Sequence, residues 1–509
     1  MFPTNLLFLV HTALLTTSYA AFLNVRDDET LIAGASLRAW NDLNTTIGGR
    51  LHVGEPFEKA CFSTFNGNPI NPDASACSAL QQNYTNPLFR VQQFGAYMLP
   101  QWETCQATGD GCLLDSSNPS NPVAFTGVNC QNGNVPPFYI DVQTVSDIQA
   151  ALKFSRATGV RLSVKNHGHD YKGRSSGKNT LSLWVQNLEA SKGGTFTEDV
   201  YNFADQHNVT WIGGYHQTIG TGWVLGGGHS ILSPVYGLGV DRVVQFKVVT
   251  PDGVYRTANE CENSDLFWAL RGGGGSAFGV VVESTHKVEP QLTLQAAIIR
   301  FPANSSNLFP WYNLTVEHSL RWAQNGWGGH IVGPTLIHVT PNLNASQAQV
   351  DMQAAIDYAV ANGGTGIIDT LPSWNAFFLK YVTSAQAAVG PELMLGTRLI
   401  STELFNSTTG KQQLSNAIKD VLSFASPYIV AGTPFLMNQY QQVTSHIQAF
   451  RDITPGSGAY FNEGDVYEPD HEESYWGTEN YKRLLSVKKK YDPHQSPHML
   501  AVCWVEWGQ

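Results

Sequence analysis

Three glycine-rich loops limit the possible folds of this chain more than any other feature of its sequence. The densest covers residues 213–229, where glycines are too frequent for the interior of a helix or a strand. Two similar loops cover residues 164–176 and 265–282. Because each loop adjoins segments with helix or strand patterns, the sequence predicts α/β units whose backbone approaches a ligand closely at these loops.

The loop at 164–176 is predicted to leave a strand. Before it, apolar residues recur at helical spacing between Thr144 or Ser146, which suit the start of a helix, and Gly159, which suits its end. Residues 160–164 then alternate as a strand. Glycines and small serines in the loop expose backbone N–H groups that can bind phosphate, although their spacing matches neither the dinucleotide fingerprint nor the P-loop.

The residues after the second loop predict further helices and strands. Residues 241–255 predict a β-hairpin with its turn at 251–253. Residues 265–270 predict a short amphipathic helix, and residues 280–282 predict an apolar strand. The elements predicted further along are a strand at 296–301 and helices at 348–361 and 412–424.

The charge of the chain excludes one class of partner. The formal net charge is -11 and the pI is about 5.7, whereas nucleic-acid binding needs clustered Lys and Arg. No stretch after the N terminus is long and apolar enough for a membrane span. We therefore expect neither nucleic acid nor a membrane as a partner, and we expect no metal site.

Several features indicate export. Residues 1–20 predict a secretory signal with an apolar core and a small-x-small cleavage site at 18–20. Asn-x-Ser/Thr acceptor sites for glycosylation occur at Asn44, Asn83, Asn208, Asn304, Asn313, Asn344 and Asn406. Five of the seven cysteines lie within the first 130 residues; in an exported protein they predict a disulfide-stapled segment, whereas metal ligation lacks the usual spacing. The odd count leaves one free thiol, for which Cys503 is a candidate.

The ordered set of motifs resembles one known family. Residues 164–176 are similar to the flavin-attachment loop, roughly Arg-Ser-Gly-Gly-His-(Asp/Ser)-Tyr, of the berberine-bridge-enzyme-like branch of the vanillyl-alcohol-oxidase superfamily. Residues 457–465 resemble the family's Tyr-x-Asn element, and residues 475–493 resemble its C-terminal helix and Asp-Pro stop. The resemblance implies an α+β fold: a PCMH-type FAD-binding domain of two subdomains, a substrate domain whose β-sheet is covered by helices, and a C-terminal segment that returns to the FAD domain.

The domain boundaries follow from the resemblance and from shifts in composition. They are a signal peptide at 1–20, a disulfide-rich N-terminal segment packing on the FAD domain at 21–135, the FAD-binding domain at 136–292, the substrate domain at 293–445 and the berberine-bridge-like C-terminal segment at 446–509.

The resemblance implies covalent FAD. His169 matches the family's histidine that bonds the 8-methyl carbon of the flavin. Many members add a second bond from a cysteine, but His216 stands in that position and has no thiolate, so we predict a single covalent link through His169. The loop departs from the family where Lys165-Asn166-His167 replaces Arg-Ser-Gly. The expected cofactor-binding residues are Lys165, Asn166, His167, Gly168, His169, Gly173, Ser175, Ser176, Thr218, Gly222, Gly226, Gly227, Gly228, His229, Gly279, Val280 and Asn462.

The expected catalytic residues are Tyr460 and His216. In the family the tyrosine serves as base and the asparagine, here Asn462, touches the flavin; in an alternating strand the two would share one face. A tyrosine with an ordinary pKa near 10 is a poor base, so Tyr460 would need a neighbour that lowers its pKa. His216 is either a hydrogen-bond partner of the flavin or substrate, or a passive residue of the pocket. Ile219 lies where family members control the access of oxygen to the flavin. Its intermediate size does not distinguish an oxidase from a dehydrogenase.

The expected function is therefore that of a secreted, monomeric flavoprotein oxidase. A hydride passes from an alcohol, a sugar or a secondary metabolite to FAD, and O2 reoxidises the flavin to give H2O2. One alternative is an FAD-dependent dehydrogenase or oxidative cyclase with another electron acceptor. The other is a secreted binding glycoprotein that has kept the fold and lost catalysis.

Overall fold

The computed structural model describes residues 31–188, 195–385, 388–423 and 437–493. The signal predicted at 1–20 and Cys503 lie outside these ranges. Helices and sheets alternate and mix along the described chain, which agrees with the expected α+β fold.

The strands around the site are β1 (Leu51–Val53), β2 (Phe138–Asp141), β3 (Arg161–Lys165), β4 (Thr180–Trp184), β5 (Val209–Trp211), β6 (Val243–Val249), β7 (Tyr255–Asn259), β8 (Val280–His286), β9 (Val288–Pro290), β10 (Leu294–Arg300), β11 (Gly328–Val332), β12 (Thr335–Thr340) and β13 (Thr365–Leu371). Two short hairpins near the N terminus pair Leu31–Ile32 with Ala35–Ser36 and Thr64–Phe65 with Asn68–Pro69.

The α-helices of the described residues are α1 (Leu37–Thr46), α2 (Ala74–Gln82), α3 (Pro87–Arg90), α4 (Val145–Thr158), α5 (Thr197–Gln206), α6 (Ser233–Tyr236), α7 (Ser264–Leu270), α8 (Leu308–Gln324), α9 (Ala345–Ala361), α10 (Trp374–Phe377), α11 (Thr402–Phe405), α12 (Thr408–Ser423), α13 (Met437–His446), α14 (Gln448–Ile453), α15 (His471–Trp476) and α16 (Thr478–Tyr491).

The first sheet has the strand order β1-β2-β4-β3, and β2, β4 and β3 run parallel. Helix α4 joins β2 to β3. Thr144 and Asp147 form a capping box at its start, and Gly159 ends it with a φ of 76°, so both predicted helix signals are confirmed. Residues 166–176 follow directly after β3, at the carboxyl edge of the parallel strands, where α/β sheets bind their ligands.

The second sheet is antiparallel, with the order β7-β6-β8. It contains the predicted hairpin and the predicted apolar strand, and the predicted helix is α7. Leu484 and Val487 of α16 are buried in one cluster with Phe246 and Phe267. The C-terminal segment therefore returns to this part of the molecule, as expected.

The third sheet is antiparallel, with the order β11-β12-β10-β13. Helices α8 and α9 pack on one face, where Ile299, Trp311 and Met352 are buried. Strand β10 and both predicted helices are present, but the helices begin earlier than expected. Helix α9 begins at Ala345 because the side chain of Asn344 caps it.

Disulfides staple the N-terminal segment, as predicted. Cys61 bonds Cys77 and Cys112 bonds Cys130, and Cys105 is also disulfide-bonded. Among the described residues, the free thiol is the exposed Cys261 in the loop before α7. The alternative that these N-terminal cysteines ligate a metal is therefore wrong.

The N-terminal segment also forms hydrogen bonds with the end of β3 and with the loop that follows it. The wholly buried Lys165 donates from Nζ to the carbonyl oxygens of Phe94 and Ala96 at 2.5 and 2.7 Å, and the N–H of Met98 donates to the carbonyl of Gly168 at 3.0 Å. The side chain of Lys165 thus joins two segments of the chain.

Within the part of the chain that the structure describes, no helix combines the length and the apolar character that a membrane crossing needs.

Candidate active site

The three glycine-rich loops meet at one cavity with a volume of about 850 Å³. The first loop contributes residues between 164 and 175, the second contributes residues between 214 and 229, and the third contributes Gly275, Ser276, Val280 and Val281. Strands β11 and β12 of the third sheet complete the wall with His330, Thr335 and Ile337 among others. The cavity therefore lies where the three sheets come together.

His169 lies in the cavity wall beside His216 and Thr218. Its Nε2 is 2.7 Å from Thr218 Oγ1, and its ring meets that of His216 at a centroid distance of 4.6 Å and an angle of 68°. The N–H of Thr218 donates to His216 Nδ1 at 3.3 Å. Burial, reinforced by His216 and His167, lowers the pKa of His169 well below its ordinary value. The ring is therefore neutral and retains a nucleophilic nitrogen.

Asn166 and His167, which replace the family's Ser-Gly, fit where the first two loops touch. A Cβ at Gly220 would lie 2.2 Å from Asn166 Nδ2, so the contact requires glycine at that position. The buried ring of His167 packs against Phe196 with centroids 4.6 Å apart. Both substituted residues line the cavity.

The Tyr-x-Asn element differs from the expected strand. Glu463 N–H bonds back to the carbonyl of Tyr460, which closes a 3₁₀ turn over Phe461–Glu463. Tyr460 Oη accepts hydrogen bonds from the backbone N–H groups of Gly228 and His229 at 3.2 and 3.1 Å and from Asn462 Nδ2 at 2.9 Å. Burial raises the pKa of Tyr460 to about 12. The prediction of a strand is wrong. The hydrogen bonds from His229, Asn462 and Gly228 lower the pKa of Tyr460, but burial outweighs them and the net shift is upward.

The cavity brings together about half of the sequence-predicted site residues. Those in its lining are Asn166, His167, Gly168, His169, Ser175, His216, Gly222, His229, Val280 and Asn462. Those outside the lining are Lys165, Gly173, Ser176, Thr218, Gly226, Gly227, Gly228, Gly279 and Tyr460. Several residues of this second group pack against residues that line the cavity. For example, a Cβ at Gly226 would lie 2.0 Å from Asn462 Oδ1.

The wall of the cavity also contains a polar cluster that the sequence did not predict. It consists of Tyr215, His330 and Glu463 around His229. His229 Nε2 lies 2.8 Å from Glu463 Oε1, and the rings of Tyr215 and His330 meet at a centroid distance of 4.1 Å. Burial lowers the pKa of His330 to about 4. Glu463 directly follows the Tyr-x-Asn element, which is a usable signal, but nothing in the sequence points to His330.

The donors of the first loop fit an anionic dinucleotide. Asp170 holds two nitrogens of the Arg174 guanidinium at 3.0 and 2.6 Å. The third nitrogen, Nη1, and Ser175 Oγ are buried without a hydrogen-bond partner among the described residues. A Cβ at Gly222 or Gly275 would meet no atom within 4 Å, so both glycines border open space. Such donors beside open backbone suit the phosphates of FAD. Arg174 was missed from the sequence because no motif singled it out.

Comparison with known proteins agrees with this geometry. The model described as FAD binding domain matches residues 136–259, and the model described as berberine and berberine like matches residues 459–495. The FAD-linked oxidoreductase ffsJ of Aspergillus flavipes is 36% identical, over 93% of this chain and 92% of its own. This chain belongs to the berberine-bridge-enzyme-like FAD-linked oxidoreductases. The FAD-linked oxidoreductase OXR2 of Pyricularia oryzae is 34% identical over the same shares of the two chains.

Solved structures of this oxidoreductase family confirm the expected fold. The VAO-type flavoprotein MtVAO615 of Myceliophthora thermophila C1 superposes with a TM-score of 0.76 at 25% identity, over 92% of this chain and 95% of its own. Glucooligosaccharide oxidase of Acremonium strictum, described with a 6-S-cysteinyl, 8α-N1-histidyl FAD, has a TM-score of 0.54 at 20% identity, over 72% and 91% of the two chains. The protein is an FAD-dependent oxidoreductase, as the sequence predicted.

Proposed function

We propose that this oxidoreductase is a secreted oxidase that holds FAD through one covalent bond to His169 and oxidises an apolar alcohol. The observation that carries the proposal is the neutral ring of His169 in the wall of the cavity, 2.7 Å from Thr218 Oγ1. When bound, FAD supplies the acceptor for a hydride, which carries two electrons from the substrate, and passes the two electrons on to O2 to give H2O2.

Among the described residues that line the cavity, none can form the second covalent bond of some family members. Among the described residues no cysteine lines the cavity, and His216 occupies the wall beside His169. An imidazole lacks the thiolate that such a bond requires. A single histidyl link is therefore the proposed state, with His216 next to the attachment site.

The wall that the third sheet and its neighbours contribute favours an apolar substrate over a sugar. Val332, Ile337, Tyr381, Leu393 and Leu395 line this part of the cavity. A sugar would need hydrogen-bonding groups around its whole ring, whereas small-molecule sites lined by apolar side chains select apolar ligands with a few polar groups. Most polar side chains of the cavity lie in the first loop and around His229.

Export is supported by the chemistry of the N-terminal segment. The bonds Cys61–Cys77 and Cys112–Cys130 persist in oxidising compartments. A covalent link would also keep the cofactor in place in an extracellular medium that contains little free flavin.

Peroxide release under air tests the proposed function. Purified protein supplied with long-chain or polycyclic secondary alcohols is expected to release H2O2, measured by a peroxidase-coupled dye, while glucose and cello-oligosaccharides give none. Flavin bleaching by these alcohols without peroxide under air would instead identify a dehydrogenase or a cyclase. Absence of both bleaching and peroxide across the alcohols and the sugars would favour a binding glycoprotein.

A further inference from the structure

A histidine–carboxylate pair lies in the cavity wall in addition to His169. His229 Nε2 and Glu463 Oε1 are 2.8 Å apart, and their side chains are 31% and 32% exposed. Both residues line the cavity, so this exposed surface is accessible to a bound molecule. A paired imidazole with accessible surface in a ligand cavity is a common arrangement for proton transfer.

The protein fixes His229 at several points. Its backbone N–H donates to Tyr460 Oη at 3.1 Å, and its carbonyl accepts from Trp223 Nε1 at 3.1 Å. Glu463 holds Nε2, and Tyr215 Oη approaches the same nitrogen at 3.5 Å. Within the described part of the chain, no group bonds the other nitrogen, Nδ1. The carboxylate thus orients the ring and leaves one nitrogen available as a proton acceptor.

Tyr460 is poorly suited to the same task. Its oxygen accepts three hydrogen bonds, from two backbone N–H groups and from Asn462, and it lies outside the lining of the cavity. Through the bond to the N–H of His229, the Tyr460 hydroxyl positions the histidine. The tyrosine therefore acts on the site through its neighbour.

We propose that His229, oriented by Glu463, is the group that accepts the substrate's hydroxyl proton. The proposal rests on the proposed function. The substrate O–H bond breaks and its proton goes to His229 Nδ1. The C–H bond on the carbon that carries the hydroxyl also breaks, and bound FAD would accept its electron pair as a hydride. The carbon–oxygen bond becomes a carbonyl, so the alcohol loses two electrons and two hydrogens. Glu463 then balances the charge of the imidazolium.

The other titratable groups around His229 are compatible with this role. Tyr215 and Tyr460 are neutral because burial raises the pKa of each well above its ordinary value. His330 is neutral because burial lowers its pKa to about 4. The carboxylate that faces His229 is that of Glu463, whose Oε1 lies 2.8 Å from Nε2.

Binding of 4-nitrophenol tests the inference without any turnover. This probe carries an acidic hydroxyl, but the carbon bearing it has no C–H bond, so it can deliver a proton and no hydride. At a pH one unit below the probe's solution pKa, the wild-type holoenzyme is expected to hold about half of the bound probe as the yellow phenolate. The ratio of ionised to neutral bound probe should exceed that of free probe about tenfold, which corresponds to about one pKa unit.

Variants assign the effect to the pair. His229→Gln keeps an amide near Glu463 and should remove the tenfold increase, and Glu463→Gln should reduce it. The exposed His207→Gln should retain it. Unchanged ionisation in His229→Gln, or failure of the wild type to bind or ionise the probe, would overturn the inference. The proposed function fails separately: the probe would ionise normally while no alcohol yields peroxide.

Discussion

The His169→Ala protein is expected to lose all of its covalently held flavin. After precipitation in acid, wild-type pellet should be yellow and its supernatant colourless, whereas the variant should release any flavin to the supernatant. The reason is that His169 offers a neutral ring nitrogen in the cavity wall, and carbon–nitrogen bond formation needs that lone pair. The measurement is the flavin absorbance of the two fractions.

Two control variants sharpen this result. His216→Ala removes the ring that lies 4.6 Å from His169 and should leave most of the flavin in the pellet. His207→Ala changes an exposed histidine on the surface and should behave as wild type. Covalent flavin retained in His169→Ala but lost in His216→Ala would transfer the attachment to His216 and contradict the proposal.

The Arg90→Met protein is expected to be destabilised by about 3–5 kcal/mol, the usual cost of breaking a buried ion pair by removing one partner. Arg90 is wholly buried, and its guanidinium donates to Glu103 at 2.6 Å and to the carbonyls of Tyr97 and Tyr84. Its loss removes the guanidinium donors of the buried Glu103 carboxylate and of both carbonyls. Thermal unfolding followed by intrinsic fluorescence should show a lower transition temperature.

An exposed ion pair provides the matched control. Lys59 Nζ lies 2.5 Å from Glu55 on the surface of the same segment, and exposed pairs contribute only about 0–1 kcal/mol. Lys59→Met should therefore shift the unfolding transition little. Equal shifts for the two variants would show that the buried pair does not hold the N-terminal segment together.

Local signals in the sequence were reliable where short-range chemistry determines the structure. Thr144 and Gly159 delimit α4 as predicted, because a cap and a left-handed glycine act within one turn. The glycine loops identified the cavity, since a neighbouring group can approach the backbone closely only where no Cβ would clash, as the Asn166 side chain does at Gly220. These signals also supported the family resemblance, which gave the fold.

The features that could not be predicted from the sequence depend on contacts between residues that lie far apart in the chain. Lys165 was predicted to bind the cofactor from a loop. Its Nζ instead donates to carbonyl oxygens that lie about seventy residues earlier in the chain. Tyr460 was expected on a strand, yet the backbone closes a turn and the hydroxyl meets the second glycine loop. His330 comes from the third sheet and meets Tyr215 only in the folded protein. No local sequence pattern predicts such long-range contacts.

The attachment of FAD at His169 is tested most directly by mapping the flavin on the wild-type protein. Trypsin cuts after Lys165 and Lys172 and releases residues 166–172, which contain His167 and His169. Tandem mass spectrometry of this peptide is expected to show the mass of FAD, or of its flavin fragment, on His169. Flavin on His167, flavin on the 193–242 peptide that contains His216, or no flavin on any peptide would contradict the account.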